Sequence, residues 1–123
     1  MTSKLHIEGG TLKWRDNLGR PHRDHDKPAV VHANGNKFWC QHGKCHRDED
    51  RPAVVHADGY KAWYQHGNLH RDDDKPAVVC ANGDMSWFQH GKRHRDNDLP
   101  AIIYANGIKW WYQHGKLIRS ERP

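Results

Sequence analysis

The residues best equipped for chemistry stand in one segment, His-Arg-Asp-x-Asp-x-Pro, which begins at His22, His46, His70 and His94. His-Arg-Asp also occurs in the catalytic loop of protein kinases. Here it recurs every 24 residues, with no glycine-rich phosphate loop and no Asp-Phe-Gly segment, in a chain of 123 residues that is too short for a kinase domain. We therefore exclude a kinase.

Twelve histidines and three cysteines raise the question of a metal site. Zinc ligands stand about 2.0–2.3 Å from the ion and hence roughly 3–4 Å from each other. Equivalent residues of successive copies, two strands apart, are separated by about 10 Å, so a row of histidines cannot share ions. Within one copy His42, Cys45 and His46 could converge, but the cysteine occurs in that copy alone. We predict no metal site.

The aspartates of the repeated segment are oxygen ligands that calcium could use. They form the pairs Asp24/Asp26, Asp48/Asp50, Asp72/Asp74 and Asp96/Asp98. They lack the further ligands and the glycine of an EF-hand loop, and they do not match nonapeptide calcium repeats. We predict instead that they bond turn amides and form bidentate ion pairs with arginines of neighbouring segments. Repeated along the chain, these pairs would make a ladder of forks, each fork being one guanidinium on one carboxylate. Those arginines are Arg23, Arg47, Arg71 and Arg95.

Nucleophilic catalysis finds no support in the sequence. The chain has three serines, none of which recurs beside a histidine and an acid. We predict a protein that is not an enzyme, with no catalytic residue and no cofactor.

These residues are positioned by a 24-residue sequence repeat, which recurs without insertion or deletion. A fixed period of this length is typical of repeat architectures, in which each unit buries its apolar side against its neighbours. We predict one domain over 1–123, all-β, built as an elongated, solenoid-like stack of antiparallel hairpins. Its parts are a degenerate N-terminal copy (1–21), four full copies (22–45, 46–69, 70–93, 94–117) and a tail (118–123). Leu5 and Ile7 alternate with polar residues as in a half-buried strand.

Each full copy contains Asn-Gly or Asp-Gly, which favours a two-residue type I′ hairpin turn. Pairing about Asn34-Gly35 then places Val30 opposite Trp39 and Val31 opposite Phe38. This register predicts a spine of branched aliphatics against buried indoles, formed by Val30, Val54, Val78 and Ile102 with Trp39, Trp63, Trp87 and Trp111. A second tight turn at His42-Gly43 brings Cys40 opposite Cys45. His-Arg-Asp-x-Asp-x-Pro then forms a corner.

The other face of the hairpins carries the repeat position that varies most, here called the variable seat: Phe38, Ala62, Ser86 and Trp110. Beside it runs an aromatic row of Tyr64, Phe88 and Tyr112. A seat that tolerates both serine and tryptophan is not expected in a packed core. Aromatic and arginine side chains dominate binding hot spots. We therefore predict a partner-binding surface of Phe38, Tyr64, Phe88, Trp110, Tyr112, Arg47, Arg71 and Arg95.

Gly43-Lys44-x-His46, Gly91-Lys92-x-His94 and the downstream Ala-[Asn/Asp]-Gly resemble MORN-type repeats over residues 10–117. The His-Arg-Asp-x-Asp-x-Pro-Ala-Val-Val form is similar to a variant from phages, large DNA viruses and some bacteria. The chain departs from the ordinary pattern where His-x-Gly-x-Gly is expected. The resemblance implies stacked antiparallel hairpins with a binding or scaffolding role, but no defined chemistry.

From these observations we predict a protein-binding module, and from the viral resemblance an inhibitor that occupies a host or anti-phage defence protein. The alternative is single-stranded nucleic-acid binding through the aromatic and Lys/Arg rows. The net charge of +5 is spread over all copies without a basic block, which weakens that alternative. Exposed terminal strands also predict a homodimer formed end to end.

The three cysteines occupy unrelated repeat positions and are interpreted as incidental thiols in a reducing compartment. The sequence has no N-terminal apolar leader and no apolar run of 18 residues. We therefore expect a cytoplasmic protein, in the host cytoplasm if it is viral, with no membrane partner.

Overall fold

A computed structural model describes residues 3–123, and all regular elements within them are β-strands that pair antiparallel. The strands are β1 (Lys4–Glu8), β2 (Thr11–Arg15), β3 (Val30–Val31), β4 (Lys37–Phe38), β5 (Cys40–Gln41), β6 (Lys44–Cys45), β7 (Val54–Val55), β8 (Lys61–Ala62), β9 (Tyr64–Gln65), β10 (Asn68–Leu69), β11 (Val78–Val79), β12 (Met85–Ser86), β13 (Phe88–Gln89), β14 (Lys92–Arg93), β15 (Ile102–Ile103), β16 (Lys109–Gln113) and β17 (Lys116–Glu121). The all-β prediction is confirmed.

One large open sheet contains eleven of these strands, in the order β1-β2-β3-β4-β7-β8-β11-β12-β15-β16-β17. Three two-stranded hairpins, β5-β6, β9-β10 and β13-β14, lie between successive strands of that order along the chain. In the last copy the longer strands β16 and β17 belong to the large sheet and also form the hairpin at His114-Gly115. The large sheet is therefore the scaffold, and the short hairpins extend from it.

The hairpins of the large sheet close at Asn-Gly and Asp-Gly as predicted, but their register differs from the prediction by one residue. Val30 lies opposite Phe38, not Trp39, and the corresponding shift occurs in the three later copies. Because side chains alternate between the faces of a sheet, a slip of one residue exchanges the faces. The predicted contact row of Val30 against Trp39 is wrong, and Val30 shares its face with Phe38.

The reason lies in the turn, which has three residues instead of two. The His32 N–H donates to the Asn36 carbonyl at 2.9 Å, and the Gly35 N–H donates to the His32 carbonyl at 2.9 Å. Gly35 has a φ of +96°, whereas Asn34 keeps a negative φ. This is a type I turn followed by a left-handed glycine, the other common short hairpin connection. The Asn34 Oδ1 accepts the Asn36 N–H at 3.0 Å and stabilises it.

Type I′ geometry occurs instead at the His-Gly turns. His42 and Gly43 have φ values of +47° and +85°, so both central residues are left-handed. Cys40 lies opposite Cys45, which confirms the predicted register of this hairpin. His66, His90 and His114 repeat the conformation with φ of 52°, 52° and 50°.

The His-Arg-Asp-x-Asp-x-Pro segments form the predicted corners, and each contains two consecutive left-handed residues. The pairs are His25/Asp26, Glu49/Asp50, Asp73/Asp74 and Asn97/Asp98, with φ between 55° and 65°. Asp and Asn tolerate this conformation better than other non-glycine residues. A long-range contact holds each corner: the Trp39 Nε1–H donates to the Asp26 carbonyl at 3.1 Å, and the three later copies repeat this bond at 3.0–3.1 Å.

Four indoles form the core together with small residues and with three branched aliphatics of the predicted spine, Val30, Val54 and Ile102. Trp39, Trp63, Trp87 and Trp111 are 6–9% exposed, and Ala29, Ala53, Ala77 and Ala101 are fully buried. The Trp39 N–H donates to the Ala53 carbonyl at 2.7 Å, and Trp63 and Trp87 make the same bond to an alanine of the next copy, whereas Trp111 pairs with Arg119 of β17. The predicted burial of the four indoles is confirmed, with alanine in place of valine as the adjacent residue.

The N-terminal strand departs from its prediction as well. β1 is exposed along its whole length, with Leu5 47% and Ile7 65% exposed, so the expected half-buried strand is wrong. β1 is the outermost strand of the sheet and pairs only with β2 among the described residues. Trp14 in β2 is covered by the Arg23 guanidinium, whose carbon lies 3.6 Å from the ring centroid, so it takes the place of a core indole.

Candidate functional site

The histidines that begin the repeated segment have both ring nitrogens engaged. The Nδ1 of His70 accepts the backbone N–H of His90 at 3.0 Å, and its Nε2 lies 2.8 Å from a carboxylate oxygen of Asp72. The two rings pack with centroids 4.7 Å apart. His22, His46 and His94 make the equivalent contacts with the next His-Gly turn. Among residues 3–123 no group of three or more His, Cys, Asp or Glu residues is arranged for a metal ion.

The arginines of the same segment form a ladder with the aspartates of the preceding copy. Arg71 donates from Nε and Nη2 to the two carboxylate oxygens of Asp50 at 2.8 and 3.3 Å, and from Nη1 to the Pro76 carbonyl at 3.1 Å. Its guanidinium carbon lies 3.7 Å from the centroid of Trp63. Arg47 and Arg95 repeat the whole arrangement.

The predicted ladder of forks is confirmed for Arg47, Arg71 and Arg95, whereas among the described residues Arg23 bonds the Pro28 carbonyl and has no carboxylate partner. The first aspartate of each pair contacts a histidine Nε2 and not the predicted turn amide or arginine.

The ladder changes the acidity of its carboxylates. The hydrogen bond from Arg71, and then that from Lys75, holds the pKa of Asp50 at about 2 against the partial burial that raises it. Asp26 has a lowered pKa because Arg47 and Arg51 donate to it in the same way. Both carboxyl groups are therefore ionised and paired near neutral pH.

This ladder fixes the position of three residues predicted to bind a partner. The side chains of Arg47, Arg71 and Arg95 are 16%, 15% and 13% exposed, stacked on indoles and bonded to carboxylates. A partner would have to displace those contacts to bind the guanidinium groups. The geometry thus gives these arginines a structural task and does not bring them together with the aromatic row.

Shallow polar clefts lie between successive corners. The larger, of about 320 Å³, is lined by Trp39, Arg47 and the charged residues of two corners, and a second of about 220 Å³ lies between the corners of residues 72–74 and 94–97. Their walls are the ladder itself. Aspartate, arginine and histidine side chains line both clefts.

The aromatic row lies on the face opposite the indoles. β16 runs without a break from Lys109 to Gln113, so Trp110 and Tyr112 point to one face and Lys109 and Trp111 to the other. In earlier copies the equivalent residues belong to two separate strands, such as Ala62 in β8 and Tyr64 in β9, and Tyr64 lies near Tyr60. We define the aromatic face as His32, Phe38, His56, Tyr60, Tyr64, Phe88, Tyr104, Trp110 and Tyr112.

Ring contacts join parts of the aromatic face into clusters. Phe38 lies between His32 and His56, with centroids at 5.5 and 6.0 Å, and His56 packs on Tyr60 at 4.7 Å. At the other end Tyr104 meets Trp110 edge to face at 5.7 Å. All these residues are half-buried, whereas Phe88 is buried. Partial burial presents rigid apolar area to the outside at little conformational cost.

The variable seat is more closely packed than predicted. Ala62 is fully buried, and its cross-strand partners are Val54 on one side and Val78 on the other. Burial raises the pKa of Tyr60 and Tyr64, and their proximity raises that of Tyr60 further. Phe38, Ser86 and Trp110 occupy the seat half-buried. The seat is thus part of the packing, and the expectation that it lies outside the core is wrong at Ala62.

Four members of the aromatic face were not predicted: His32, His56, Tyr60 and Tyr104. The two-residue turn expected from Asn-Gly placed His32 on the indole face with the lysines. In the structure the three-residue loop turns His32 toward Phe38. The sequence contains a signal for them, since three of the four residues at position 32 and its equivalents are His, His and Tyr.

The charged residues beside the aromatic face are few. Lys37, Lys61 and Lys109 pair with Val31, Val55 and Ile103, on the opposite face. Arg93 is the exception, because its guanidinium carbon lies 5.1 Å from the Phe88 ring and 5.7 Å from the Tyr112 ring. A ligand on the aromatic face therefore meets rings, the Arg93 guanidinium and, beside Cys80, the carboxylates of Asp84 and Asp58. It does not meet the lysine row.

Comparison with known proteins adds no assignment. No family model, curated protein or solved structure matches the chain. The resemblance to MORN-type repeats therefore stays a prediction. Within the described residues there is no helix long and apolar enough to cross a membrane.

Proposed function

We propose that the chain is a non-catalytic protein-binding module whose partner docks on the aromatic face. The observation that carries the proposal is the separation of the two faces. The repeated His, Arg and Asp side chains are engaged in contacts within the chain, whereas half-buried rings of varying type occupy the aromatic face. Side chains that hold the fold and side chains that differ from copy to copy are thus kept apart.

The proposed architecture is an elongated, solenoid-like stack of 24-residue hairpin units. Its support is the recurrence of the same hydrogen bonds in the four full copies, such as the indole bond from Trp39, Trp63, Trp87 and Trp111 to a corner carbonyl. In such an array each unit contacts only its neighbours, and stacking of short repeats creates an extended surface. One surface then presents all the variable rings to one partner.

The chemistry of the aromatic face favours a protein over a charged polymer. Tyrosine and tryptophan are the residues most enriched among binding hot spots, and half-buried rings lose little conformational freedom on binding. Arg93 supplies one polar anchor between Phe88 and Tyr112. The complementary partner surface is apolar, with an acidic group opposite Arg93.

We further propose that the module acts by occupancy, blocking or bridging its partner. If the protein is viral, as the similarity of its repeat sequence suggests, the partner is a host or defence protein in the host cytoplasm. This specific form rests on the resemblance of the sequence.

The proposal is tested by affinity capture from lysate of the host cells with wild-type protein and two matched double variants. Trp110→Ala with Tyr112→Ala removes two rings from the aromatic face. Lys61→Ala with Lys109→Ala removes two side chains of similar length from the other face. We expect the aromatic variant to lose a stoichiometric partner at least about tenfold, as for hot-spot rings, and the lysine variant to retain it. Hydrogen exchange with the captured partner then maps protection to the aromatic face.

Two outcomes contradict the proposal: the absence of any stoichiometric protein partner, and loss of the partner in the lysine variant alone. Circular dichroism of each variant verifies that the sheet is intact.

The alternative, single-stranded nucleic-acid binding, needs rings for bases and cations for phosphates on one surface. Here the lysine row and the rings lie on opposite faces, and the arginine row is engaged with aspartates. Fluorescence anisotropy with labelled oligonucleotides at two salt concentrations tests it, since phosphate contacts weaken as salt rises. Salt-dependent binding that the Trp110→Ala variant abolishes would replace protein docking as the proposed function.

A further inference from the structure

Two cysteines face each other across the first His-Gly hairpin. Cys40 in β5 and Cys45 in β6 are direct cross-strand partners. Their carbonyls point away from each other, because the Cys40 carbonyl accepts the Arg23 N–H at 3.3 Å and the Cys45 carbonyl accepts the Gly67 N–H at 2.8 Å. The next pair, by contrast, is bonded, with the His46 N–H donating to the Trp39 carbonyl at 3.0 Å. Cys40 and Cys45 therefore form a non-hydrogen-bonded pair.

That class of pair suits a disulfide. In antiparallel strands the Cα atoms of a non-hydrogen-bonded pair are about 4.5 Å apart, within the range of about 4.4–6.8 Å that disulfides span. Both thiols are free in the structure. Closing the bond requires rotation of the side chains and no rearrangement of the strands.

The two thiols differ in access and in acidity. Cys40 is buried and Cys45 is half-buried. The hydrogen bond from the Cys40 thiol lowers the pKa of Cys45, against the effect of burial, and the same bond together with burial raises the pKa of Cys40. Cys45 is thus the accessible thiol with the greater thiolate character, which is the profile of an attacking cysteine.

We infer that Cys40 and Cys45 form a redox-active dithiol that exchanges with small-molecule disulfides and closes to a cross-strand disulfide. The Cys45 thiolate attacks one sulfur of the small disulfide, whose S–S bond breaks and releases one thiolate, leaving a mixed disulfide on Cys45. The Cys40 thiol then loses its proton and attacks the Cys45 sulfur, releasing the second small thiolate. The two protein thiols are oxidised to one disulfide, and the small disulfide is reduced to two thiols.

The third cysteine provides an internal comparison. Cys80 is also half-buried, but the pKa of its thiol is raised by burial and by the nearby Asp84 and Asp58. It has no cysteine partner, since the chain has three cysteines and the other two face each other. Accessibility alone would make Cys80 and Cys45 equally reactive, whereas the dithiol arrangement selects Cys45.

The experiment treats the reduced full-length protein with oxidised glutathione at a series of ratios to reduced glutathione, followed by acid quenching, intact mass and peptide mapping. For the wild type we expect loss of two hydrogens, with Cys40 linked to Cys45 and Cys80 free. Cys40→Ser should accumulate a stable glutathione adduct on Cys45. Cys45→Ser should leave Cys40 unmodified, and Cys80→Ser should behave as the wild type.

A persistent glutathione adduct in the wild type, or modification of Cys80 before Cys45, overturns the inference. Mapping of the wild type needs no variant to fold, and circular dichroism of each serine variant identifies any Cys40 reactivity that results from unfolding. The inference does not depend on the proposed partner, because the small disulfide is the sole reagent.

Discussion

At the scale of single residues, one arginine in each of the three later corners makes several contacts that hold a copy to its neighbour. Arg71 stacks on Trp63, forks onto Asp50 and closes its own corner through the Pro76 carbonyl. Lysine cannot reproduce a planar fork that also stacks. The motif that resembles catalytic chemistry in the sequence is thus a packing device in the structure.

We predict that Arg71→Ala lowers the free energy of unfolding by roughly 1–3 kcal/mol, and Arg71→Lys by about half of that. The stacking on a shielded indole contributes up to about 2 kcal/mol. The ion pair adds little, because the Asp50 side chain is 42% exposed and solvent screens it. Urea denaturation measures the change. Arg93→Ala is the control, since Arg93 is exposed and outside the ladder; equal losses in both variants would contradict the assignment.

The histidines of the corner have a defined tautomer. Because the Nδ1 of His70 accepts a backbone N–H, its proton resides on Nε2, where it donates to Asp72. We predict the Nε2–H tautomer for His22, His46, His70 and His94 in the neutral state. Long-range proton–nitrogen correlation spectra distinguish the two tautomers, and an Nδ1–H signal at these four positions would contradict the contacts described.

At the scale of elements, the two turns of each copy have different geometries, and only the turn at Asn-Gly or Asp-Gly departs from the prediction. Asn34-Gly35 belongs to a three-residue loop, whereas His42-Gly43 adopts the type I′ turn. A histidine in left-handed conformation is unusual, and here its ring packs on His22 with centroids 4.0 Å apart. Packing of two histidine rings within one copy thus accompanies a turn conformation that local preference would assign elsewhere.

We predict that Trp63→Ala costs about 3–5 kcal/mol of stability, as for other large-to-small core changes. The indole is 9% exposed, donates to the Asp50 carbonyl and carries the Arg71 stack. Trp110→Ala should cost clearly less, because Trp110 is half-buried on the aromatic face. Thermal or urea unfolding of the two variants compares them directly. An equal loss of unfolding free energy in the two variants would show that Trp110 belongs to the core and would contradict this prediction.

At the scale of the whole molecule, the large sheet is open. Its outermost strands are β1 at one end and β17 at the other, and both are exposed along their length. Unpaired strand edges are templates for pairing with another chain. Ile7 at 65% and Ile118 at 58% exposure add apolar area at the two ends.

We predict concentration-dependent dimers formed through these edges. Leu5→Pro in β1 and Ser120→Pro in β17 each remove an N–H that points to the free edge, because the backbone groups of their partners Trp14 and Trp110 bond to the next strand inward. Each change weakens pairing at that edge. Sedimentation across a concentration range shows which variant lowers the dimer fraction. A protein that stays monomeric at all concentrations would refute end-to-end pairing, and a dimer that neither variant affects would place the contact elsewhere.

The sequence by itself determined what depends on local chemistry and on the repeated text. The corners at Asp and Pro, the pairing of Cys40 with Cys45, the burial of the indoles and the arginine–aspartate ladder are all confirmed. Each follows from residue types whose geometry is restricted: glycine at positive φ, proline without an N–H, and arginine with a planar fork.

The tertiary structure alone decided which face each side chain occupies. Asn34-Gly35 is compatible with a two-residue and with a three-residue turn, and the choice moves His32 from one face to the other. The contacts that accompany the observed register, such as the Trp39 bond to Asp26, join residues 13 positions apart. The aromatic face and its separation from the lysines therefore emerge only when the strands are assembled, because a slip of one residue leaves local preferences unchanged and reverses the sheet.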